Sequence, residues 1–207
     1  MIDVFRRISK PVVFAASLGP LAVMGWNAWA NPNAIYFNGI VRNTGFWSLR
    51  FLCLTLAITP LRWLTGWHWL MKFRRMMGLF GFFYAGVHTI AYVAFGPAAT
   101  AHMLSTIASD LLRPFIAIGL AGLLLMAPLA ATSTVGMIRR LGGRRWQALH
   151  RLAYPAAIAS VLHTYWPLTA RSPRYAWILC AIFVLRAGRA YARSPSSVVH
   201  AIETEDF

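Results

Sequence analysis

Of the 207 residues, 58% are hydrophobic and 12% are charged, and the formal net charge is +15. Soluble domains carry roughly 25% charged residues, so water is not the main solvent for this surface. The basic residues sit at the ends of apolar runs rather than on one polar face, which argues against nucleic acid as a partner despite the charge.

A bilayer core about 30 Å thick needs roughly 20 helical residues. Six runs in this chain suit that length. The first covers 11–30 and carries no charge. The second, 44–61, is interrupted by Arg50, and the third covers 76–95. The fourth is 114–133, the fifth 146–166, and the sixth 175–191, with Arg186 and Arg189 in its last turns. The runs are continuously apolar, unlike the short alternating segments of a membrane barrel. They predict helices, which satisfy their backbone polar groups internally. The first run also resembles a signal peptide, with Arg6-Arg7 before it and Ala28-Trp29-Ala30 at its end. Its length and the short loop that follows favour a span. Cys53 and Cys180 lie inside runs with no CxxC pair, and read as small buried side chains. No Gly-rich phosphate loop opens a helix. The loops at 31–43 and 96–113 are too short to fold alone. The expected class is therefore all-α: one polytopic membrane helix bundle of about six transmembrane helices over 1–207.

Lys and Arg cluster on the cytoplasmic side of membrane proteins. One side here receives Arg6, Arg7, Lys10, Arg62, Lys72, Arg74, Arg75, Arg139, Arg140, Arg144, Arg145, Arg151, Arg186, Arg189 and Arg193. The other receives Arg42, Arg50, Arg113, Arg171 and Arg174. Both termini are expected in the cytoplasm, as an even number of spans requires.

Ionisable residues at membrane depth are costly and mark functional positions. His68, His102 and His200 fall in loops or the tail, whereas His88, His150 and His163 fall in or at the ends of apolar runs. The third and fifth runs point the same way. His88 follows Arg74 by fourteen residues and His163 follows His150 by thirteen, each about 20 Å along a helix. His88 and His163 are thus expected at one depth near the outer face, with Arg74 and His150 at another near the inner face. Two imidazoles at one level can supply both axial ligands of a haem iron. Fourteen steps return to within about 40° of the starting face, but thirteen miss it by about 140°. His150 and His163 therefore share a face only if the helix is interrupted, and Pro155 lies between them. Otherwise His150 serves something else.

Gly78, Gly81, Ala85 and Gly86 make the third run small-sided, as do Ala153, Ala156, Ala157, Ala159 and Ser160 the fifth. Such residues allow close helix approach or leave room for a flat cofactor. Phe82, Phe83, Tyr84, Tyr165 and Trp166 are candidates to line a pocket. Arg75 and Arg151 suit haem propionates at the inner level, and Arg50 and Arg113 at the outer one. Each also suits snorkelling to headgroups.

These residues, in order, resemble the MsrQ family, the haem-binding membrane subunit of the bacterial protein-methionine-sulfoxide reductase system. That family sits within the ferric reductase and NADPH oxidase transmembrane superfamily. The matching stretches are Ile-Thr-Pro-Leu-Arg at 58–62, Arg-Arg-Met-Met-Gly-Leu at 74–79, His88, Arg113-Pro114 and Ala-Thr-Ser at 131–133. Trp-Gln-Ala-Leu-His-Arg-Leu-Ala-Tyr at 146–154 and His163 complete the set. The superfamily pattern places two histidines on each of two helices; here Arg74 occupies the fourth position, as in MsrQ proteins.

The resemblance implies a single ferric reductase-like transmembrane domain over 1–207 in the bacterial inner membrane. It implies one or two b-type haems, with His88, His163 and His150 as metal ligands, and a flavin mononucleotide (FMN). Electrons would enter from the quinone pool or a cytoplasmic flavin reductase. They would leave to a periplasmic molybdopterin-containing catalytic subunit that repairs oxidised envelope proteins. The chain would be a redox subunit without an active site of its own, since no nicotinamide or flavin-adenine dinucleotide domain is present. Two rivals are a b-type cytochrome serving another redox partner and a histidine-relay transporter. The transporter lacks acidic partners, because Asp110 is the only acid between Asp3 and Glu203.

Overall fold

A computed structural model describes residues 2–31, 37–95, 103–166 and 173–192. Among these, no strand occurs. The elements are α1 (Ile2–Ala30), α2 (Phe37–Thr65), a short 3-10 turn (His68–Leu70), α3 (Met71–Phe95), α4 (Met103–Leu111) and α5 (Pro114–Ala131). They continue with α6 (Val135–Leu141), α7 (Gly143–His150), α8 (Ala153–Tyr165) and α9 (Arg174–Tyr191).

Four segments are long and apolar enough to cross a membrane: Ser9–Ala30, Gly39–Thr65, His68–Phe95 and Pro114–Ala131. They coincide with the first four expected spans. The fifth expected run is divided into α7 and α8. Pro155 has no N–H to bond the Arg151 carbonyl, and the chain tightens just before it. Arg151 N–H donates to Ala148 O at 3.2 Å and Leu152 N–H to Leu149 O at 3.0 Å. At 13 residues, α8 is only about 20 Å long. The sixth expected run is the single helix α9, whose hydropathy Arg186 and Arg189 lower. Three stretches expected to be loops are partly helical: α2 takes in residues 37–43, and α4 and α6 lie in the other two. Thr134 caps α6 by accepting the Met137 N–H at 3.2 Å, and Gly142 ends it at φ +75°, a conformation that favours glycine. Pro114 opens α5 at its first turn, where a missing N–H costs nothing.

The bundle is built from two antiparallel pairs, α2 along α3 and α5 along α8, with α9 against α2. Small and hydroxylated residues let the backbones approach. Ser48 Oγ donates to Gly81 O at 2.8 Å across α2 and α3, and Gly122 on α5 faces Ala159 and Ser160 on α8. The core has an aromatic side, where Phe51, Phe80 and Tyr84 stack between α2 and α3. It also has an aliphatic side, where Leu52, Leu56, Met126, Ala156, Ala157, Leu179 and Ile182 join α2, α5, α8 and α9. Tyr84 O–H donates to Ser17 O at 2.9 Å and ties α1 to α3.

Some of the basic residues expected on the cytoplasmic side have neighbours on other helices. Lys72 Nζ donates to Ser9 Oγ at 2.7 Å, Arg189 lies over the Trp63 ring, and Arg74 interacts electrostatically with Arg62 and Arg186.

Candidate functional site

His88 lies seven residues before the end of α3 and His163 two before the end of α8. Both histidines are partly buried. Their ring centroids are 5.9 Å apart and the ring planes meet at 80°. The two expected ligands are therefore brought together from two parallel helices, one from each antiparallel pair.

Each imidazole is anchored to the other helix of its own pair. His88 Nδ1 lies 2.8 Å from Val41 O on α2, and His163 Nδ1 lies 2.6 Å from Phe115 O on α5. A carbonyl only accepts, so Nδ1 is the protonated nitrogen in both rings and Nε2 keeps its lone pair. That is the tautomer a metal ligand needs. Phe115 also stacks on His163, with centroids 6.1 Å apart and planes at 27°.

His88 and His163 are the residues that would hold a haem iron, which imidazole nitrogens with a free lone pair can ligate. Among the described residues no group of three or more His, Cys, Asp or Glu gathers.

His150 belongs elsewhere. It ends α7, its Nδ1 lies 3.1 Å from Trp146 O, and its ring stacks on Trp146 at 3.9 Å and 28°. Trp146 is held in turn by an Nε1–H bond to Thr132 O at 3.0 Å. Arg74 is close enough to act electrostatically on His150, so the two residues expected at one inner level do share a neighbourhood. Between His150 and His163 the chain is divided into α7 and α8.

The four other arginines have different surroundings. Arg50 Nε donates to Tyr175 Oη at 2.7 Å and its guanidinium lies 4.4 Å over Trp47. Arg113 pairs with Asp110 at 3.2 Å, and Asp110 also accepts from Tyr92 O–H. Arg75 and Arg151 are exposed. Of the aromatic candidates, Tyr84 is wholly buried in the aromatic core, and Phe83 and Trp166 are exposed. Phe82 joins the aliphatic cluster and Tyr165 packs near Tyr175. Phe115 takes the place expected for them, and the carbonyls of Val41 and Phe115 were not legible, since main-chain acceptors carry no residue signature. His68 is exposed in the 3-10 turn; His102, His200, Arg171 and Arg193 lie outside the described residues.

Four apolar helices of spanning length and a partly buried pair of neighbouring histidines define a helical membrane protein with two imidazoles brought together. The family model for the ferric reductase like transmembrane component matches residues 44–161, which include His88, His150 and, two residues short of it, reach toward His163. Among curated relatives is the protein-methionine-sulfoxide reductase heme-binding subunit MsrQ of Herminiimonas arsenicoxydans. It is 47% identical over 161 residues, covering 76% of this chain and 72% of the relative. The protein of the same name from Ralstonia nicotianae is 48% identical over 164 residues, covering 77% and 73%. That from Rhodospirillum rubrum is 44% identical over 163 residues, covering 76% and 75%. This chain belongs to the MsrQ family, within the ferric reductase-like transmembrane proteins.

Proposed function

We propose that this chain is the haem b-carrying electron-transfer subunit of a methionine sulfoxide reductase system. The observation that carries this reading is the His88–His163 pair, with both Nδ1 atoms occupied by carbonyls. Bound between them, haem supplies one-electron transfer within the low-dielectric interior.

The residues of the chain do the remaining work. Val41 O and Phe115 O orient the imidazoles and make them better donors to a metal. The bundle of α2, α3, α5 and α8 excludes water from the pair. His150, held by Trp146 and beside Arg74, is the protein's contribution to a second site toward the cytoplasm. Arg75 and Arg151 at the inner level, and Arg50 and Arg113 at the outer one alongside their bonds to Tyr175 and Asp110, are the proposed partners for propionates. The names of the relatives support the methionine sulfoxide reductase connection.

The wider assignment is that of the family resemblance. The chain has six spans in a bacterial inner membrane with both termini cytoplasmic. Quinone or a flavin reductase donates electrons, FMN is a further cofactor, and a periplasmic molybdopterin-containing subunit accepts. The chain itself performs no substrate chemistry.

The test is haem-to-protein stoichiometry and the reduced-minus-oxidised spectrum of the purified protein. The wild type should show a b-type α band. His88→Ala and His163→Ala should each remove the same component, whereas His150→Ala removes a different one or none. An unchanged band in His163→Ala would end the assignment.

A further inference from the structure

Gly45 on α2 and Gly119 on α5 sit behind the two imidazoles. A Cβ built on Gly45 would lie 3.1 Å from His88 Nδ1 and 3.2 Å from its Cε1. One built on Gly119 would lie 2.5 Å from His163 Nδ1 and 2.8 Å from its Cε1. Each glycine stands four residues after the carbonyl that its histidine bonds: Val41 then Gly45, Phe115 then Gly119. That spacing has a physical meaning. In an α-helix the carbonyl of residue i points toward residue i+4, whose Cβ leans back over it. An ordinary side chain at i+4 would cover the carbonyl from the approaching ring. Glycine leaves it open.

Helix packing alone does not explain the two positions. Gly81 and Gly122 are the packing glycines of the same helix pairs. A Cβ on Gly81 would first meet Leu52 N at 3.5 Å, and one on Gly122 would first meet Ala159 Cβ at 3.5 Å, both ordinary contacts. At Gly45 and Gly119 the three nearest atoms all belong to an imidazole. A glycine inside a helix is also less favourable than alanine, which asks for a reason at each site.

We propose that Gly45 and Gly119 are positioning residues for the paired histidines. Each uncovers the carbonyl that fixes its imidazole as the Nδ1–H tautomer, and so leaves the Nε2 lone pair for a ligand. The proposal rests on the haem reading above for its consequence, but not for its geometry. The two sites differ in severity. Alanine at 119 forces the His163 ring off Phe115 O, whereas alanine at 45 crowds His88 by a few tenths of an ångström.

The experiment compares Gly119→Ala, Gly45→Ala and Gly122→Ala in the full-length protein in detergent. Gly119→Ala should lower haem affinity at the His88–His163 site by about 10- to 100-fold, the usual effect of removing an outer-shell partner, with loss of its low-spin EPR signal. Gly45→Ala should keep haem but shift the low-spin g values and the midpoint potential of that component. Gly122→Ala, at a packing contact away from the rings, should leave all three as in the wild type. In haem-free protein, nitrogen-labelled histidine NMR should show the Nδ1–H tautomer at position 163 in the wild type and lose it in Gly119→Ala.

Wild-type spectra and tautomers in both Gly119→Ala and Gly45→Ala would overturn the proposal while leaving the haem reading intact. A wild type that binds no haem yet shows the tautomer change would sink the haem reading and keep the positioning role. If Gly119→Ala does not fold, the milder Gly45→Ala decides: a shift supports the proposal, and no shift overturns it.

Discussion

An arginine inside a membrane bundle is costly unless its donors are engaged, and Arg186 on α9 shows how this chain meets that requirement. One Nη donates to Tyr154 Oη at 2.7 Å and the other to Leu56 O at 2.9 Å, so a single guanidinium joins α9, α8 and α2. Its Nε is buried without a partner among the described residues. Tyr154→Phe removes one of the two bonds and should cost about 0.6–1.7 kcal/mol, seen as a lower unfolding midpoint in detergent. Tyr191→Phe, at an exposed ring, should change nothing; equal effects from the two would sink the role given to Arg186. Trp146 makes a second prediction at this scale. Because Trp146 both stacks on His150 and bonds Thr132 O, Trp146→Leu should remove the stack and leave the His150 ring held only through Nδ1. A redox titration should then show any inner component altered and the His88–His163 component unchanged. His88 and His163 themselves were legible in the sequence, because their depth follows from counting along a helix. The roles of Tyr154 and Arg186 were not: Arg186 read only as a charge weakening the last run.

Among the elements, α8 is the one whose sequence most constrains it. Ala156 and Ala157 are both at 0% exposure, and a larger side chain at either has no room. Ala157→Leu should destabilise the protein by about 1–3 kcal/mol. It should also lower haem content, since α8 carries His163 against α5. Ile158→Ala, at an exposed position (45%), should leave thermal stability within about 0.5 kcal/mol of wild type. If Ala157→Leu is equally tolerated, α8 does not pack as described. The small-sided character of this helix was legible, and the structure assigns most of it to helix packing: Ala156, Ala159 and Ser160 face Gly122. The break before Pro155 was legible as a possibility from proline chemistry. Its position at Arg151–Leu152 came from the local bonding of the folded chain. The helices α4 and α6 were missed because both are short and polar-flanked, and hydropathy over a spanning window does not register them.

For the whole molecule, the distribution of Lys and Arg predicts which side each loop occupies. With a membrane-impermeant maleimide added to spheroplasts of a strain carrying otherwise cysteine-free protein, Arg113→Cys should label. Arg140→Cys should label only after the membrane is opened. Both parent residues are exposed, so a reversed pattern would overturn the orientation. Composition, run length and charge position determined that this is a helical membrane protein and which residues sit at similar depths, because each is a sum over neighbouring residues. Only the tertiary structure decided that His88 and His163 face one another at 5.9 Å and that two carbonyls hold them. It likewise showed that Gly45 and Gly119 stand behind the rings. Those facts depend on atoms from different helices meeting in space, and a main-chain oxygen or an absent Cβ leaves no trace in the chain until the helices are packed.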